Sequence, residues 1–519
     1  MKKIAALFLL VVSVFTTRAS EFPVRGFHID FRTQVMTLDA MKSFATELSG
    51  FGINTLIVEW EATFPYDKHA VISNELAFSP DEVKEFVRHC EKLGIDVIPL
   101  QQCFGHVEYI LRHERYNRFK ETYELEISQV CPLKKGVVDV FAEIFAEVAA
   151  LHPSEYFHIG GDETFLLGKC PHCKAYVEKH GKSRLFVDYI VKMCDAVTAL
   201  GKRPVLWADI ITKYPEAIDR LPHNAILVDW NYGWNIKKFG DLDKVLSSGL
   251  DIWGAPAIRS HPDHYYSTGW MKHFNNQRDF IPYARETGYK GIVMTSWSTS
   301  GGYGFLWDQH HIVAEMDPVR QVFPMNAFRI LIAMYSEALK NSDPVDPHAF
   351  VISYVQDRFG LSDSDAEAFW EVLNHPQTII RYGKGDYGKG DAVASLRDQA
   401  VADRDLLYSM KVKSNKDEFE RFLLMWDIRV QYLEYKVIED LVNSPDFDRS
   451  KASAMLRQLK EKVISKTRGL DKRFTAACRG YLKPGDIERN NAVRSRQIVR
   501  LEKILENMAA GTPTYATSK

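Results

Sequence analysis

The sequence predicts an α/β protein, a (β/α)8 TIM barrel followed by an α-helical C-terminal domain. Eight β-prone segments alternate with amphipathic helical stretches over the first part of the chain, and strand signals nearly vanish after residue 340. In addition, polar and aromatic residues stand where these strands end, which is where parallel barrels carry their functional side chains. An open doubly wound sheet would give similar local signals, so periodicity alone does not close the barrel.

The barrel is predicted to occupy residues 21–340. Its strands are rich in β-branched and aromatic residues and are predicted at 24–30, 54–60, 95–100, 155–160, 204–208, 225–230, 250–255 and 291–297. The stretches between most of them have helical periodicity, as in 80–93, 137–151 and 183–200.

The segment 341–347 is rich in turn-forming residues and predicts a linker. Beyond it, Ser364 and Glu367 have the spacing of a helix capping box. Apolar residues then repeat every three or four positions between Phe419 and Leu441, which is typical of one face of a long helix. Residues 341–519 are therefore predicted to form a helical domain with this aromatic stripe in its core.

Residues 1–20 have the features of a bacterial secretory signal peptide: two lysines, an apolar run from Ile4 to Phe15, and small residues at the end. The apolar run is too short for a permanent membrane span. We therefore expect an exported protein, periplasmic or secreted, without membrane insertion. The net charge is −2, with 66 basic and 68 acidic residues and no long run of like charge, which argues against a nucleic-acid partner.

Seven cysteines in an exported chain allow disulfides, and their odd number leaves at least one thiol unpaired. The segment Cys170–Cys173 (CPHC) has the spacing of a redox or zinc element. A zinc site would normally need a second pair of ligands, and none is evident in the sequence. A loop disulfide or idle thiols are therefore expected, and no metal ligand is predicted.

The most informative segment is Phe157–Thr164, FHIGGDET. A short β-prone run ends in two glycines, which allow a ligand to approach the backbone, and the adjacent carboxylates of Asp162 and Glu163 follow. Such pairs are common on solvated surfaces, but this pair stands where the fourth strand opens into a loop. Because neighbouring strand residues point to opposite faces, both reach one site only if the strand ends near Asp162.

Side chains suited to sugar binding stand at the ends of the other predicted strands: His28, Asp30, Glu59, Trp60, Glu61, His106, Trp207, Asp209, Trp230, Tyr232 and Trp297, with Arg25 at the start of strand one. Carboxylates, a histidine, an arginine and several tryptophans around one mouth are typical of a carbohydrate site. Each has a structural alternative. Asp30 and Arg25 could form a buried pair, Trp60 could be core, and a lone His106 is more often structural.

The segment His158–Glu163 (HIGGDE) resembles the H-x-G-G-D-E signature of glycoside hydrolase family 20, the β-N-acetylhexosaminidases. Ile98 to His106 is similar to the family's I-P…G-H element. The similarity is greatest to the hexosaminidase D branch, in the segments Glu59–Glu61, Phe64–Tyr66 and Leu206–Asp209. It covers about residues 24–310 and does not extend to the C-terminal helices.

The resemblance implies an exo-acting, retaining β-N-acetylhexosaminidase in which the substrate's own 2-acetamido oxygen attacks the anomeric carbon. Glu163 would protonate the leaving oxygen and then activate water, and the neighbouring Asp162 is expected to raise the pKa of Glu163. Asp162 would accept a hydrogen bond from the acetamido N–H and stabilise an oxazolinium-type intermediate. Tyr232 is the candidate donor to the acetamido oxygen.

For substrate binding, the resemblance implies a pocket walled by Trp207, Trp230 and Trp297, with Arg25 on the sugar hydroxyls and with His106 and Asp209 as supports. The implied partners are N-acetylhexosamine-containing glycans, with no metal and no cofactor. One departure is clear: much of the family has Trp-x-Glu after strand eight, whereas this chain has Trp297-Ser298-Thr299. Glu61 is a candidate substitute, and the preference between GlcNAc and GalNAc stays open, tilted towards GalNAc.

Two other classes of function remain open from the residues alone. One is a metal-dependent barrel hydrolase using His28, Asp30, His106 and Asp209, although strand one carries a single histidine rather than a pair. The other is a non-catalytic glycan-binding protein.

Overall fold

A computed structural model of the chain describes residues 22–122, 126–235, 238–240, 242–260, 265–298, 303–307, 314–318, 322–375 and 378–511. For 303–307 and 314–318 it describes the backbone alone. The predicted signal peptide, residues 1–20, lies outside the described residues, as does Thr299.

The centre of the fold is a closed ring of eight parallel strands. The strands of the chain are β1 (Val24–Asp30), β2 (Thr55–Glu59), β3 (Asp96–Leu100), β4 (Tyr156–His158), β5 (Arg203–Trp207), β6 (Ile226–Trp230), β7 (Asp251–Ala255), β8 (Ala257–Arg259), β9 (Gly291–Ser296), β10 (Tyr303–Trp307) and β11 (Ala314–Pro318). The ring runs from β1 to β7 and then to β9, which pairs with β1 in parallel. The predicted (β/α)8 barrel is confirmed, and each predicted strand is present within about two residues at its ends.

Three strands were not predicted. The short β8 follows Pro256 and pairs only with β9, so it extends the seventh strand position rather than adding a ninth. The other two, β10 and β11, form a separate antiparallel pair after the ring has closed.

Helices cover the outside of the ring and form the C-terminal region: α1 (Leu38–Gly50), α2 (Pro80–Lys92), α3 (Glu108–Leu111), α4 (Glu114–Asn117), α5 (Val137–Ala150), α6 (Pro171–His180), α7 (Lys182–Ala199), α8 (Asp209–Lys213), α9 (Asp243–Leu246), α10 (Trp270–Glu286), α11 (Arg329–Lys340), α12 (Pro347–Phe359), α13 (Asp363–Asn374), α14 (Val393–Ser409), α15 (Lys416–Val442), α16 (Ala452–Leu459), α17 (Ser465–Cys478) and α18 (Pro484–Ala509). The three helices predicted between strands correspond to α2, α5 and α7. None of the described helices is both long and apolar enough to cross a bilayer.

The lumen of the barrel is filled with side chains. Its buried residues are Ile57, Ile98, Leu100, Val205, Trp207, Ile226, Val228, Trp230, Tyr232, Trp253, Ala255, Ala257 and Val293. Three of its aromatic members, Trp207, Trp230 and Tyr232, lie at or just beyond the carboxyl ends of their strands, whereas Trp253 lies in the middle of β7. A lumen packed in this way leaves no room for a channel, so a ligand has access only at the mouth of the barrel.

The C-terminal helices share a core with the barrel. One continuous cluster of buried apolar side chains contains Phe27 of β1, Trp270 of α10 and Phe422 of α15. The predicted aromatic stripe lies on α15, where Phe422 is buried, but its last member, Leu441, is exposed. The predicted capping box is wrong. Ser362, not Ser364, caps α13, because its hydroxyl accepts the N–H of the third residue of the helix.

The last helix also holds the loop that follows β1. Asp486 of α18 accepts a hydrogen bond from the Val35 N–H at 2.9 Å, and the Val35 carbonyl accepts one from the Lys483 N–H at 2.8 Å. Thr37 donates its N–H to the Tyr481 carbonyl at 2.9 Å. These bonds fix the loop from Phe31 to Thr37 between the barrel mouth and the C-terminal helices.

Closure of the barrel can be tested at Gly26, which faces Val293 across the β1–β9 pair. A Cβ added to Gly26 would lie 2.7 Å from Val293 Cγ2. We expect Gly26→Ala to lower the free energy of unfolding by about 1–3 kcal/mol, measured by urea denaturation, because the packed lumen cannot move aside freely. The double variant Gly26→Ala/Val293→Ala should be less destabilised than the sum of the two single variants. Strict additivity would mean that the two strands do not meet here.

Candidate active site

Two adjacent carboxylates stand at the mouth of the barrel because the chain turns sharply after β4. The strand ends at His158, and Gly160 and Gly161 follow with φ of +69° and +92°. A side chain on Gly160 would overlap the amide of Gln102. Because the strand ends before Asp162, the side chains of Asp162 and Glu163 do not point to opposite faces of the sheet, and both carboxylates reach the mouth of the barrel. The side chain of Asp162 is 10% exposed and that of Glu163 is 37% exposed.

His106 joins the two carboxylates. Its Nε2 lies 3.3 Å from Asp162 Oδ2 and 3.3 Å from Glu163 Oε2. Burial disfavours the protonated imidazole, but the charge of Asp162 and the hydrogen bonds to both carboxylates raise the pKa of His106 well above its usual value. Both His106 and Glu163 have positive φ, +55° and +48°. Such backbone is costly for residues other than glycine and is often found at functional sites.

One oxygen of Asp162 has no partner. Asp162 Oδ2 faces His106, whereas Oδ1 is buried and makes no hydrogen bond to any described residue. A buried carboxylate oxygen without a donor costs free energy, so its natural partner is a ligand N–H or O–H.

Asp209 positions the backbone of the second carboxylate. Its Oδ2 accepts the Glu163 N–H at 3.2 Å. Burial, followed by the charge of Asp162, raises the pKa of Asp209 to about 8. Asp209 therefore carries a proton at neutral pH, which limits the negative charge beside the carboxyl groups of Asp162 and Glu163.

Aromatic rings line the site beside these groups. The Trp297 Nε1–H donates to the Tyr232 hydroxyl at 2.9 Å, so the tyrosine oxygen accepts this bond and keeps its own hydrogen for another acceptor. Burial raises the pKa of Tyr232, which keeps the hydroxyl protonated. The ring of Trp207 lies 5.9 Å from that of Trp297, and Trp230 lies 5.1 Å from Tyr232.

Arg32 is the arginine of this site. Its Nε lies 3.1 Å from Asp30 Oδ1 and 3.6 Å from Glu61 Oε1, and its Nη2 lies 3.5 Å from Glu59 Oε2. The guanidinium also stacks on Trp297, 5.1 Å from the ring centroid. Burial, offset in part by the charge of Arg32, raises the pKa of Glu61 well above its usual value.

Arg25 is not brought to the site, and the prediction that it contacts substrate is corrected. It is the second residue of β1, and its guanidinium donates to the carbonyls of Gly52 at 2.8 Å and Phe22 at 3.0 Å. Both carbonyls precede their strands, so Arg25 belongs to the amino-terminal end of the barrel. The suggested buried pair of Asp30 with Arg25 is also replaced, by Asp30 with Arg32.

Arg32 and two aromatic residues of the site were not predicted from the sequence. Arg32 lies two residues beyond the end of β1, and that position was the available signal. Trp234 and Phe239 extend the aromatic group, with ring centroids 5.5 Å and 4.2 Å from Trp230. Both residues follow the carboxyl end of β6, and that position in the sequence could have indicated them. Trp60, by contrast, is core: it donates its N–H to His152 at 3.0 Å.

Two groups of described side chains have the composition of a metal site. One is His106 with Asp162 and Glu163, and the other consists of Glu121, Cys131, Cys170 and Cys173. The set suggested for a metal-dependent hydrolase does not form such a group within the described residues. Asp30 is instead paired with Arg32, and His28 with Glu59 at 3.3 Å.

Residues 22–313 match the family model described as glycosyl hydrolase family 20, catalytic domain. The chain belongs to glycosyl hydrolase family 20. The resemblance carried by the segment His158–Glu163 is thereby confirmed, as is the prediction that the chain is a glycoside hydrolase.

The chain is similar to hexosaminidase D from two mammals, as the sequence segments predicted. The protein from Bos taurus is 25% identical over 313 residues, covering 57% of this chain and 88% of that protein. The protein from Homo sapiens is 24% identical over 310 residues, covering 56% of this chain and 63% of that protein, so the chain spans less than two thirds of the human relative. Among solved structures, a β-N-acetylhexosaminidase from Bacteroides fragilis NCTC 9343 has 18% identity and a TM-score of 0.48, over 68% of this chain and 71% of that chain.

The support given by Asp209 can be tested with two substitutions. Asp209→Ala removes the acceptor of the Glu163 N–H, so we expect kcat to fall about tenfold or more, because a partly buried donor is left unpaired and the carboxylate beside it loses its support. Asp209→Asn keeps a neutral acceptor of the same shape and should retain most of the activity near pH 7. Equal losses in the two variants, measured as kcat on an aryl N-acetyl-β-hexosaminide, would contradict this role.

Proposed function

We propose that the chain is an exo-acting, retaining β-N-acetylhexosaminidase, which releases terminal β-linked GlcNAc or GalNAc by substrate-assisted catalysis. The observation that carries the proposal is the unpaired, buried Oδ1 of Asp162 directly beside Glu163. An acceptor with no partner inside a site that belongs to family 20 fits the acetamido N–H of the sugar. The more exposed carboxylate next to it is accessible to a leaving group and to water.

Glu163 acts as the general acid and then as the general base. Its side chain is 37% exposed, against 10% for Asp162, so it is the carboxylate that a leaving oxygen can approach. The proton passes from Glu163 to the glycosidic oxygen as the bond to the anomeric carbon breaks. Glu163 then accepts a proton from the water that opens the intermediate, which restores the acid.

Asp162 and Tyr232 hold the acetamido group from its two ends. Asp162 accepts the N–H and balances the positive charge that develops as the carbonyl oxygen attacks the anomeric carbon. Tyr232 donates its hydroxyl to that carbonyl oxygen, and the bond from Trp297 fixes the direction of the hydroxyl. No side chain of the enzyme forms a bond to the sugar in this route.

The walls of the pocket select a terminal sugar. Trp230 and Trp297 provide apolar faces for the ring, and the packed lumen beneath them closes the bottom of the site. Trp207 is fully buried beside Trp297 and supports that ring from behind. A pocket closed at one end accommodates the end of a chain, which supports exo action. We assign the binding of sugar hydroxyls to Arg32 and Glu61, in place of Arg25, because they form a pair at the mouth.

The acid role predicts a loss that depends on the leaving group. Glu163→Gln should lower kcat/KM about 10²–10⁴-fold for a disaccharide or alkyl glycoside, whose leaving oxygen needs a proton. The loss should be much smaller for a dinitrophenyl glycoside, which leaves as a stable anion. Kinetics of the two substrates with wild type and variant provide the measurement, with the melting temperature as a control for folding. An equal loss on both substrates would exclude Glu163 as the acid.

Participation of the acetamido group predicts a strict requirement in the substrate. Nitrophenyl β-GlcNAc and β-GalNAc should be cleaved, whereas the matching β-glucoside and β-galactoside should not, because they lack the internal nucleophile. The comparison uses initial rates at equal concentrations of substrate and enzyme. Cleavage of the unacetylated sugars at similar rates would refute the substrate-assisted route while leaving the glycoside hydrolase assignment intact.

A further inference from the structure

Four buried side chains from two loops converge beside the catalytic loop. Glu121 and Cys131 come from the segment between α4 and α5, Cys170 ends the loop after β4, and Cys173 lies in the first turn of α6. Their ligand atoms all lie within 4.8 Å of one another. Cys131 Sγ is 3.5 Å from Cys170 Sγ and 3.4 Å from Cys173 Sγ, and Cys173 Sγ is 3.3 Å from Glu121 Oε2.

We propose that these four side chains bind a structural zinc ion. Zinc in structural sites is tetrahedral, with Zn–S bonds of about 2.3 Å, so neighbouring sulfurs lie roughly 3.8 Å apart. The two sulfur pairs at 3.4 Å and 3.5 Å reach that spacing with shifts of a few tenths of an ångström. Three thiolates and a carboxylate fill four positions, which is typical of a closed structural site. A catalytic zinc would keep one position open.

The electrostatics of the cluster favour a cation. Glu121 is fully buried, and among the described residues its carboxylate oxygens contact the Cys170 N–H and the Cys173 thiol rather than a lysine, arginine or histidine. A buried carboxylate without a positive partner is strongly unfavourable, and a divalent metal would supply that partner. A disulfide between two of the sulfurs would leave the buried carboxylate of Glu121 without a cation.

Backbone N–H groups already point at the ligand atoms. The Cys173 N–H donates to Cys170 Sγ at 3.3 Å, and the Cys170 N–H donates to Glu121 Oε1 at 3.1 Å. Bonds of this kind orient metal ligands and stabilise the negative charge of thiolates. Cys170 is also the N-cap residue of α6, so the positive end of the helix faces the cluster.

The site would clamp together the two loops that build the acid–base group. His106 lies in the segment that follows β3, as do Glu121 and Cys131, whereas Glu163 lies in the loop that Cys170 ends. A metal joining the two loops therefore helps hold His106 against Asp162 and Glu163. The sequence predicted no metal because no second pair of ligands is evident beside Cys170 and Cys173, whereas the fold brings Glu121 and Cys131 to them.

The full chain, purified without chelators or added metal, should contain about one equivalent of zinc by inductively coupled plasma mass spectrometry. Cys131→Ser and Glu121→Gln should each lose most of the zinc and melt at lower temperature. Cys90→Ser is the matched control, since Cys90 is a buried thiol of α2 outside the cluster, and it should keep the metal. In the apo protein, added Co²⁺ should give the thiolate charge-transfer and d–d bands of a tetrahedral site.

A count of thiols in denaturant with chelator separates the outcomes. Seven reactive thiols together with one zinc would support the proposal. Five thiols and no zinc would mean a disulfide, and seven thiols without zinc would mean a cluster of free thiols. Either result overturns the zinc site. The proposed glycosidase activity is judged separately by the Glu163→Gln kinetics.

Discussion

The arrangement at the mouth of the barrel depends on one electrostatic constraint: the carboxylates of Asp162 and Glu163 stand side by side, the first 10% exposed and the second 37% exposed. Two neighbouring carboxylates repel each other, and His106, whose Nε2 lies 3.3 Å from an oxygen of each, reduces that repulsion. The negative charge of the pair raises the pKa of His106 against the effect of burial, whereas burial first, and then the charge of Asp162, raises the pKa of Asp209. Protonation of these neighbours lets the pair exist without a larger penalty.

Meeting that constraint requires backbone that ordinary strands do not provide. Glu163 and His106 both have positive φ, and the turn before Asp162 uses two glycines. Such conformations cost free energy and persist only when the surroundings hold them. Here the surroundings are the Asp209 bond to Glu163, the bonds between the loops after β3 and β4, and the proposed metal clamp. On the opposite side, α18 holds the loop that carries Arg32.

Much of this could be predicted from the sequence, because the strongest signals are local. The eight strands follow from β-prone runs, and Asp162 and Glu163 from a motif within one loop. Asp209, Tyr232 and Trp297 followed from their positions at strand ends, since parallel strands bring those ends together. The fold was therefore predictable to within a few residues, and several of the side chains predicted at strand ends lie together at the mouth.

What could not be predicted depends on the directions of side chains and on distant partners. Arg25 and Arg32 are seven residues apart in sequence. Only the contacts of their guanidinium groups show that Arg25 lies at the amino-terminal end of the barrel and Arg32 at the mouth. Likewise, Cys131 is about forty residues from Cys170 in sequence and 3.5 Å away in space. No spacing rule connects them, because the pairing exists only once two loops have packed.

The balance of charge at the mouth has a chemical consequence. Asp30, Glu59 and Glu61 surround the single guanidinium of Arg32, and Asp162, Glu163 and Asp209 surround His106. Even without Asp209, which is protonated, acidic groups outnumber cations among the described side chains that make these contacts. A fixed negative potential in a partly dry site favours any state in which the ligand becomes positive. Cleavage of a glycosidic bond passes through such a state, whether the charge resides on the ring oxygen or on an oxazolinium. The same excess of negative charge that makes the folded mouth costly is therefore what makes it suited to this reaction.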